Sequence, residues 1–208
     1  MPSAKLASAP LASAPLASAP LASALWPATG SAALVRNAAL ALAGSLLLWL
    51  SAKIQVPFWP VPMTMQTYAI MVIGAAYGWR LAGATVLLYL AQGFAGLPVF
   101  AGAAAGPAYF AGPTAGYLVG FVVSAVFIGW VAERGWARSL PRMAVAMTVG
   151  HLLILGLGVA WLSTLVGVEK AVAVGLTPFW AATALKTALA AATLPLAWRA
   201  VDTARAAG

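Results

Sequence analysis

Phe179, Thr183 and Lys186 stand four and three residues apart in the last apolar stretch of the chain, so a helix would carry all three on one face. Lys186 lies nine residues past Thr177, a depth of ~13 Å at ~1.5 Å per helical residue, close to the middle of a hydrocarbon layer ~30 Å thick. An ammonium at that depth is costly and calls for a ligand, a partner charge or a water-filled cavity. No acid stands within a helical turn of it, so the face is suited to holding an anion. The alternative is a lysine that snorkels to the interface or pairs with a helix carbonyl.

Other polar side chains are scattered through apolar runs. Thr64, Gln66, Tyr89, Gln92 and Tyr117 can donate or accept hydrogen bonds, and the two glutamines can do both. They suit a polar ligand or, equally, bonds between helices. His151 is alone in its segment, with no Ser-His-acid set and no ligand cluster for a metal, and reads as a hydrogen-bonding residue between helices. A phosphate-binding loop is excluded: Lys186 precedes Thr187, but Leu185 and Trp180 occupy the positions where that motif needs glycine. The chain therefore has no ATPase site of this kind, and no acids sit deep in its helices for a proton relay. Nothing points to an enzyme.

Of the 208 residues, 63% are hydrophobic and 7% charged, and the mean hydropathy is +0.97. Soluble domains carry about 25% charged residues, so this surface must face lipid, and the chain reads as an all-α integral membrane protein. There is no cysteine, which excludes disulfides and thiol chemistry.

Residues 1–33 form a low-complexity tail and lead-in. The pentad Leu-Ala-Ser-Ala-Pro is stated three times from Leu6 and begun again at Leu21. Its prolines forbid a continuous helix and leave no apolar run long enough for a signal peptide or a span, which predicts a disordered or loosely interfacial tail. Residues 34–198 divide into six predicted transmembrane helices: about Leu34 to Ala52, Met63 to Tyr77, Leu81 to Gly96, Thr114 to Ala132, Arg142 to Val166 and Thr177 to Trp198. Residues 199–208 remain as a tail. The linkers Lys53 to Pro62, Leu97 to Pro113 and Gly167 to Leu176 fall on one side, where proline and aromatic residues predict a capped pocket. Glycines 102 and 106 suit the middle linker to a lid.

The net charge of +8 would suggest nucleic acid in a soluble protein; here topology accounts for it better. Lys5, Arg36, Arg80, Arg134, Arg138, Arg142, Arg199 and Arg205, eight of the eleven cations, fall on the side opposite the long linkers. The positive-inside rule places both termini in the cytoplasm and the linkers outside. Gly112, Gly116, Gly120 and Ser124 repeat every four residues, a smooth ridge for helix packing.

Four blocks resemble the BioY family in order and spacing: Val61-Pro-Met-Thr-Met-Gln-Thr67, Gly78-Trp-Arg-Leu-Ala-Gly83, Tyr89-Leu-Ala-Gln-Gly-Phe-Ala-Gly-Leu-Pro-Val-Phe-Ala-Gly102 and Gly112-Pro-Thr-Ala-Gly-Tyr-Leu-Val-Gly-Phe121. The resemblance extends from about Leu34 to Trp198. It implies the six-helix fold of the substrate-binding S components of energy-coupling factor (ECF) transporters, capture of biotin from outside a cell membrane, and delivery with a coupling membrane protein and two ATPases. The chain would need no cofactor of its own, because only the partners use ATP.

On that basis Lys186 would hold the biotin carboxylate, with Thr183 and Phe179 beside it. Thr64, Gln66, Tyr89, Gln92 and Tyr117 would read the ureido end, and Phe100 of the middle linker joins the binding set. Ala39 and Ala43, an Ala-x-x-x-Ala pair on the first helix, would meet the coupling protein. Relatives read Pro-Phe-x-Pro-Gly-Asp-x-x-Lys around the lysine, whereas this chain keeps Pro178, Phe179 and Lys186 but has Ala181, Ala182 and Thr183 in place of Pro-Gly-Asp. A solitary or ion-coupled transporter of a small carboxylate and a ligand-sensing membrane protein are the alternatives, and a homo-oligomer stays open.

Overall fold

The computed structural model describes residues 19–206. Lys5 and most of the pentad repeat lie outside the described residues. Eight α-helices follow along the described chain: α1 (Leu21–Leu25), α2 (Gly30–Lys53), α3 (Gln66–Tyr77), α4 (Trp79–Phe94), α5 (Ala115–Ala132), α6 (Leu140–Val166), α7 (Val168–Gly175) and α8 (Trp180–Ala206). The six predicted segments are helical over most of their length, with shifted ends, and α1 and α7 are additional to them.

The differences have local causes. The tail expectation fails at Leu21–Leu25, where one helical turn fits between Pro20 and Pro27 and buries Leu21 and Ala24 in the core. The linker after α6 is not open coil: Val168–Gly175 is helical and seats Ala171 and Gly175 inward. The predicted start of α3 at Met63 moves to Gln66, because Met63–Thr64 (β2) pairs antiparallel with Gln55–Val56 (β1), Thr64 opposite Gln55. The expected C-terminal tail is helical to Ala206, running through Pro195. There Arg138 of the α5–α6 turn meets Asp202 at 2.7 Å and lies over the Trp198 ring, and Arg205 donates to the Ala24 carbonyl at 2.7 Å.

Four stretches are long and apolar enough to cross a membrane: Gly30–Lys53, Ala115–Ala132, Leu140–Val166 and Val168–Ala206. The expectation was six. α3 and α4, of 12 and 16 residues, rise only ~18 and ~24 Å, short of a ~30 Å hydrocarbon layer. Leucines such as Leu42, Leu46, Leu87, Leu152 and Leu189 point outward all round the bundle, as a lipid-facing surface requires.

α5 is the central helix. Gly116 and Gly120 bring it against α6 so closely that a Cβ at position 120 would stand 2.7 Å from the Ile154 Cα. On its other sides Ala125 and Ile128 meet Gly74 of α3, and Gly129 abuts the backbone of Trp79. The small-residue ridge therefore acts in packing, where close backbone approach replaces the missing hydrophobic drive between helices in lipid. α2 sits at the periphery, buried mainly along Ser45, Leu48 and Ala52.

Candidate functional site

At the end of the bundle where the three long linkers gather, α3, α5, α6 and α8 leave a cavity with about 600 Å³ of space free of protein atoms, part of it open at the mouth. Val61, Pro62, Thr64, Gln66 and Thr67 form one wall. Thr114, Tyr117, Leu118 and Phe121 come from the start of α5, His151, Ile154 and Leu155 from α6, and Phe179, Thr183 and Lys186 from the α8 side. Phe100, Ala101 and Tyr109 of the middle linker close over it.

Lys186 is the cation of this lining, and no acid accompanies it. Its side chain is buried and its Nζ donates to the Thr64 carbonyl at 3.0 Å. One acceptor satisfies one of three donors, so the ammonium keeps capacity for an anion. Phe179 packs near Tyr117 and Phe58, with ring centroids 6.5 and 6.4 Å apart. Tyr117 donates to the Gly175 carbonyl at 2.8 Å, tying the cavity wall to α7.

The middle linker is fastened from two directions. Lys53, the last residue of α2, donates to the carbonyls of Pro98 at 2.8 Å and Phe100 at 2.9 Å and also to that of Gly102. From α4, Gly93 accepts from the Gly106 N–H at 2.8 Å, and its bare Cα leaves room for the Phe100 ring. Phe100 in turn stacks on Tyr109, centroids 4.6 Å apart at 12°, and meets Tyr89 edge-on. Burial pushes the Tyr109 phenol above its ordinary range, so it stays protonated. Thr114 lies close enough to influence that phenol, yet its hydroxyl does not reach hydrogen-bond geometry.

The structure brings Lys186, Thr183, Phe179, Gln66, Tyr117 and Phe100 together on one lining. Two expected members are elsewhere. Tyr89 is fully buried behind the wall, accepting from Gln66 Nε2 at 2.6 Å and donating to the Val99 carbonyl at 2.8 Å, so it braces Gln66 and the lid. Gln92 faces the opposite way, into a groove between α2 and α4, where its Oε1 accepts from Ser45. That correction follows from packing: Gln92 lies on the side of α4 that meets α2, where Ser45 donates to it. Ala39 and Ala43 are exposed on α2.

Sequence reasoning missed Thr67, Thr114 and His151 as lining residues. Thr67 follows the candidate Gln66 at the start of α3, and Thr114 precedes α5 three residues before the candidate Tyr117. His151 carried the same signal as Lys186, a polar head in an apolar helix.

The sequence matches the profile of the BioY family over residues 19–203. The chain belongs to the BioY family. Among its relatives is the biotin transporter BioY2 of Lactococcus lactis subsp. cremoris, 34% identical over 138 residues that cover 65% of this chain and 75% of that protein. The probable biotin transporter BioY of Pyrococcus horikoshii is 36% identical over 62% of this chain and 75% of its own length. The biotin transporter BioY of Thermotoga maritima is 35% identical over 64% and 78%. Among solved structures, the S component for biotin from an ECF-type ABC transporter, a 2.1 Å crystal structure, superposes with a TM-score of 0.72 at 21% identity, over 83% of this chain and 95% of that one. The BioY chain thus has the S-component fold.

Proposed function

We propose that this BioY chain is the biotin-binding subunit of an ECF vitamin importer. The observation that carries the reading is the cavity itself: a single buried lysine without an acid, among aromatic rings and a few polar groups, under a fastened lid. Biotin offers a carboxylate for Lys186, an apolar thioether ring for Phe179, Phe100 and Tyr117, and a ureido group that needs hydrogen-bond partners. Pairing the carboxylate with the ammonium neutralises the charge in a site that shields it from water.

In this reading all six principal helices cross a cell membrane, the shorter α3 and α4 included, and both termini lie in the cytoplasm. The lid then faces outward and captures the vitamin there. Ala39 and Ala43, small and exposed, meet a coupling membrane protein, and two partner ATPases supply the energy that this chain has no loop to harvest. Thr183 leaves Lys186 to bind the carboxylate without a helix-mate acid.

Binding of labelled biotin to the purified protein, to Lys186→Ala and in competition with carboxyl-amidated biotin tests this. Tight binding that weakens on removing either charge is expected. Tight binding indifferent to both would move the carboxylate elsewhere, and a folded sample that binds no biotin would overturn the substrate.

A further inference from the structure

The polar groups of the cavity wall divide by whether the protein already uses them. Gln66 donates to Tyr89 and accepts from Thr64 at 3.1 Å, Tyr117 is held by Gly175, and Lys186 by Thr64. Among the described residues, Nε2 of His151 and the hydroxyls of Thr67 and Thr114 are buried in the same lining without a hydrogen-bond partner, Thr114 beside Tyr109 of the lid. A buried polar atom left unpaired is costly, and three on one cavity point to what enters it.

The other ring nitrogen fixes what His151 asks for. Nδ1 lies 3.1 Å from the Met147 carbonyl and 2.9 Å from Thr187 Oγ1. A carbonyl oxygen only accepts, so Nδ1 carries the proton, and in the neutral ring Nε2 is then a bare lone pair. The lining holds no carboxylate to balance a second cation beside Lys186. His151 therefore requires a donor from the ligand, and an ionised carboxylate has none. Lys186 extends to Thr64, where the linker enters α3, whereas His151 stands on α6 with Nδ1 held at the Met147 carbonyl, one turn back along the helix and away from the linkers.

We propose that His151 and Thr67 read the ureido end of biotin: His151 Nε2 accepts from a ureido N–H and the Thr67 hydroxyl donates to the ureido carbonyl. This rests on biotin as the ligand. It sets the orientation, ring system inward and carboxylate toward the mouth at Lys186, and it assigns specificity to a cyclic urea over ligands that offer only acceptors there.

His151 is the single histidine of the chain, so ¹⁵N-histidine NMR on protein carrying a histidine-free tag reports this ring alone. We expect a protonated Nδ1 and an unprotonated Nε2 in free protein, with the Nε2 resonance shifting on adding biotin. Binding is then compared for biotin and for the two cyclic carbamates in which oxygen replaces one ureido N–H. His151→Phe should weaken biotin about 10- to 100-fold, the loss expected for an unpaired buried donor, yet weaken one of the carbamates less than about threefold. His151→Gln, whose amide oxygen accepts, should fall between. An Nε2-protonated ring, or equal losses for biotin and both carbamates, would overturn the assignment. Should His151→Phe fail to fold, the resonance and His151→Gln decide. A folded wild-type protein that binds no biotin would overturn the substrate and this role with it, while its ring resonances still report the tautomer separately.

Discussion

The Phe100 ring occupies the space that a Cβ on Gly93 would fill. Gly93 lies inside α4, where glycine is a poor helix residue, and alanine there would ordinarily stabilise by up to about 1 kcal/mol. The ring reverses the sign. Gly93→Ala must push Phe100 off the cavity wall and is expected to destabilise by about 1–3 kcal/mol. Thermal unfolding in detergent should show a lower midpoint, and biotin should raise that midpoint less than in wild type.

Lys53→Met removes the donor that gathers the carbonyls of Pro98, Phe100 and Gly102 while keeping most of the apolar stem. Hydrogen exchange of the amides between residues 98 and 106 is expected to rise at least about tenfold, the equivalent of ~1.4 kcal/mol lost from local closure. Lys53→Arg should recover part of the protection. Exchange unchanged in Lys53→Met would show that the α4 contacts at Gly93 and Tyr89 fasten the lid without it.

Gly120→Val attacks the fold instead of the site. The new side chain would meet the Ile154 backbone on α6, and the two helices cannot separate without opening the packing of the central helix. A loss of about 3 kcal/mol or more, or failure to fold, is expected. Gly156→Ala makes the comparison, because no atom lies near its Cβ position; its unfolding midpoint should stay the same or rise.

Ala39→Arg places a long cation on an exposed face of α2, away from the cavity. In vesicles reconstituted with the coupling protein and both ATPases, uptake of biotin should fall at least tenfold while equilibrium binding to the isolated chain is unchanged. A matched loss of binding and uptake would place the fault in folding, and intact uptake would move the docking face off α2.

Much of this architecture was legible because lipid leaves strong marks in a sequence. The six principal helices follow from apolar runs between charges and prolines, and Lys186 announced itself by its cost. What escaped detection depends on pairing across the fold. Met63 and Thr64 have no local reason to leave a helix; they do so because Gln55 and Val56 lie alongside them. Eight residues with a glutamate and a lysine look like solvent linker until Ala171 finds its seat. Gln92 and Gln66 are alike in sequence, and only the packing decides that one faces α2 and the other the cavity.

The clamp at Lys53 makes α2 a lever. The docking face proposed for it, at Ala39 and Ala43, and its terminal ammonium are parts of one rod, with ten residues from Ala43 to Lys53, a distance of ~15 Å. Because α2 is thinly embedded at the edge of the bundle, tilting it disturbs little of the core. A tilt of ~10° at the docking face would move the far end by ~2.6 Å over that length, enough to stretch hydrogen bonds of 2.8 and 2.9 Å past their working range. A partner gripping α2 could thus unlatch the lid at a distance, with the vitamin released by a helix that never touches it.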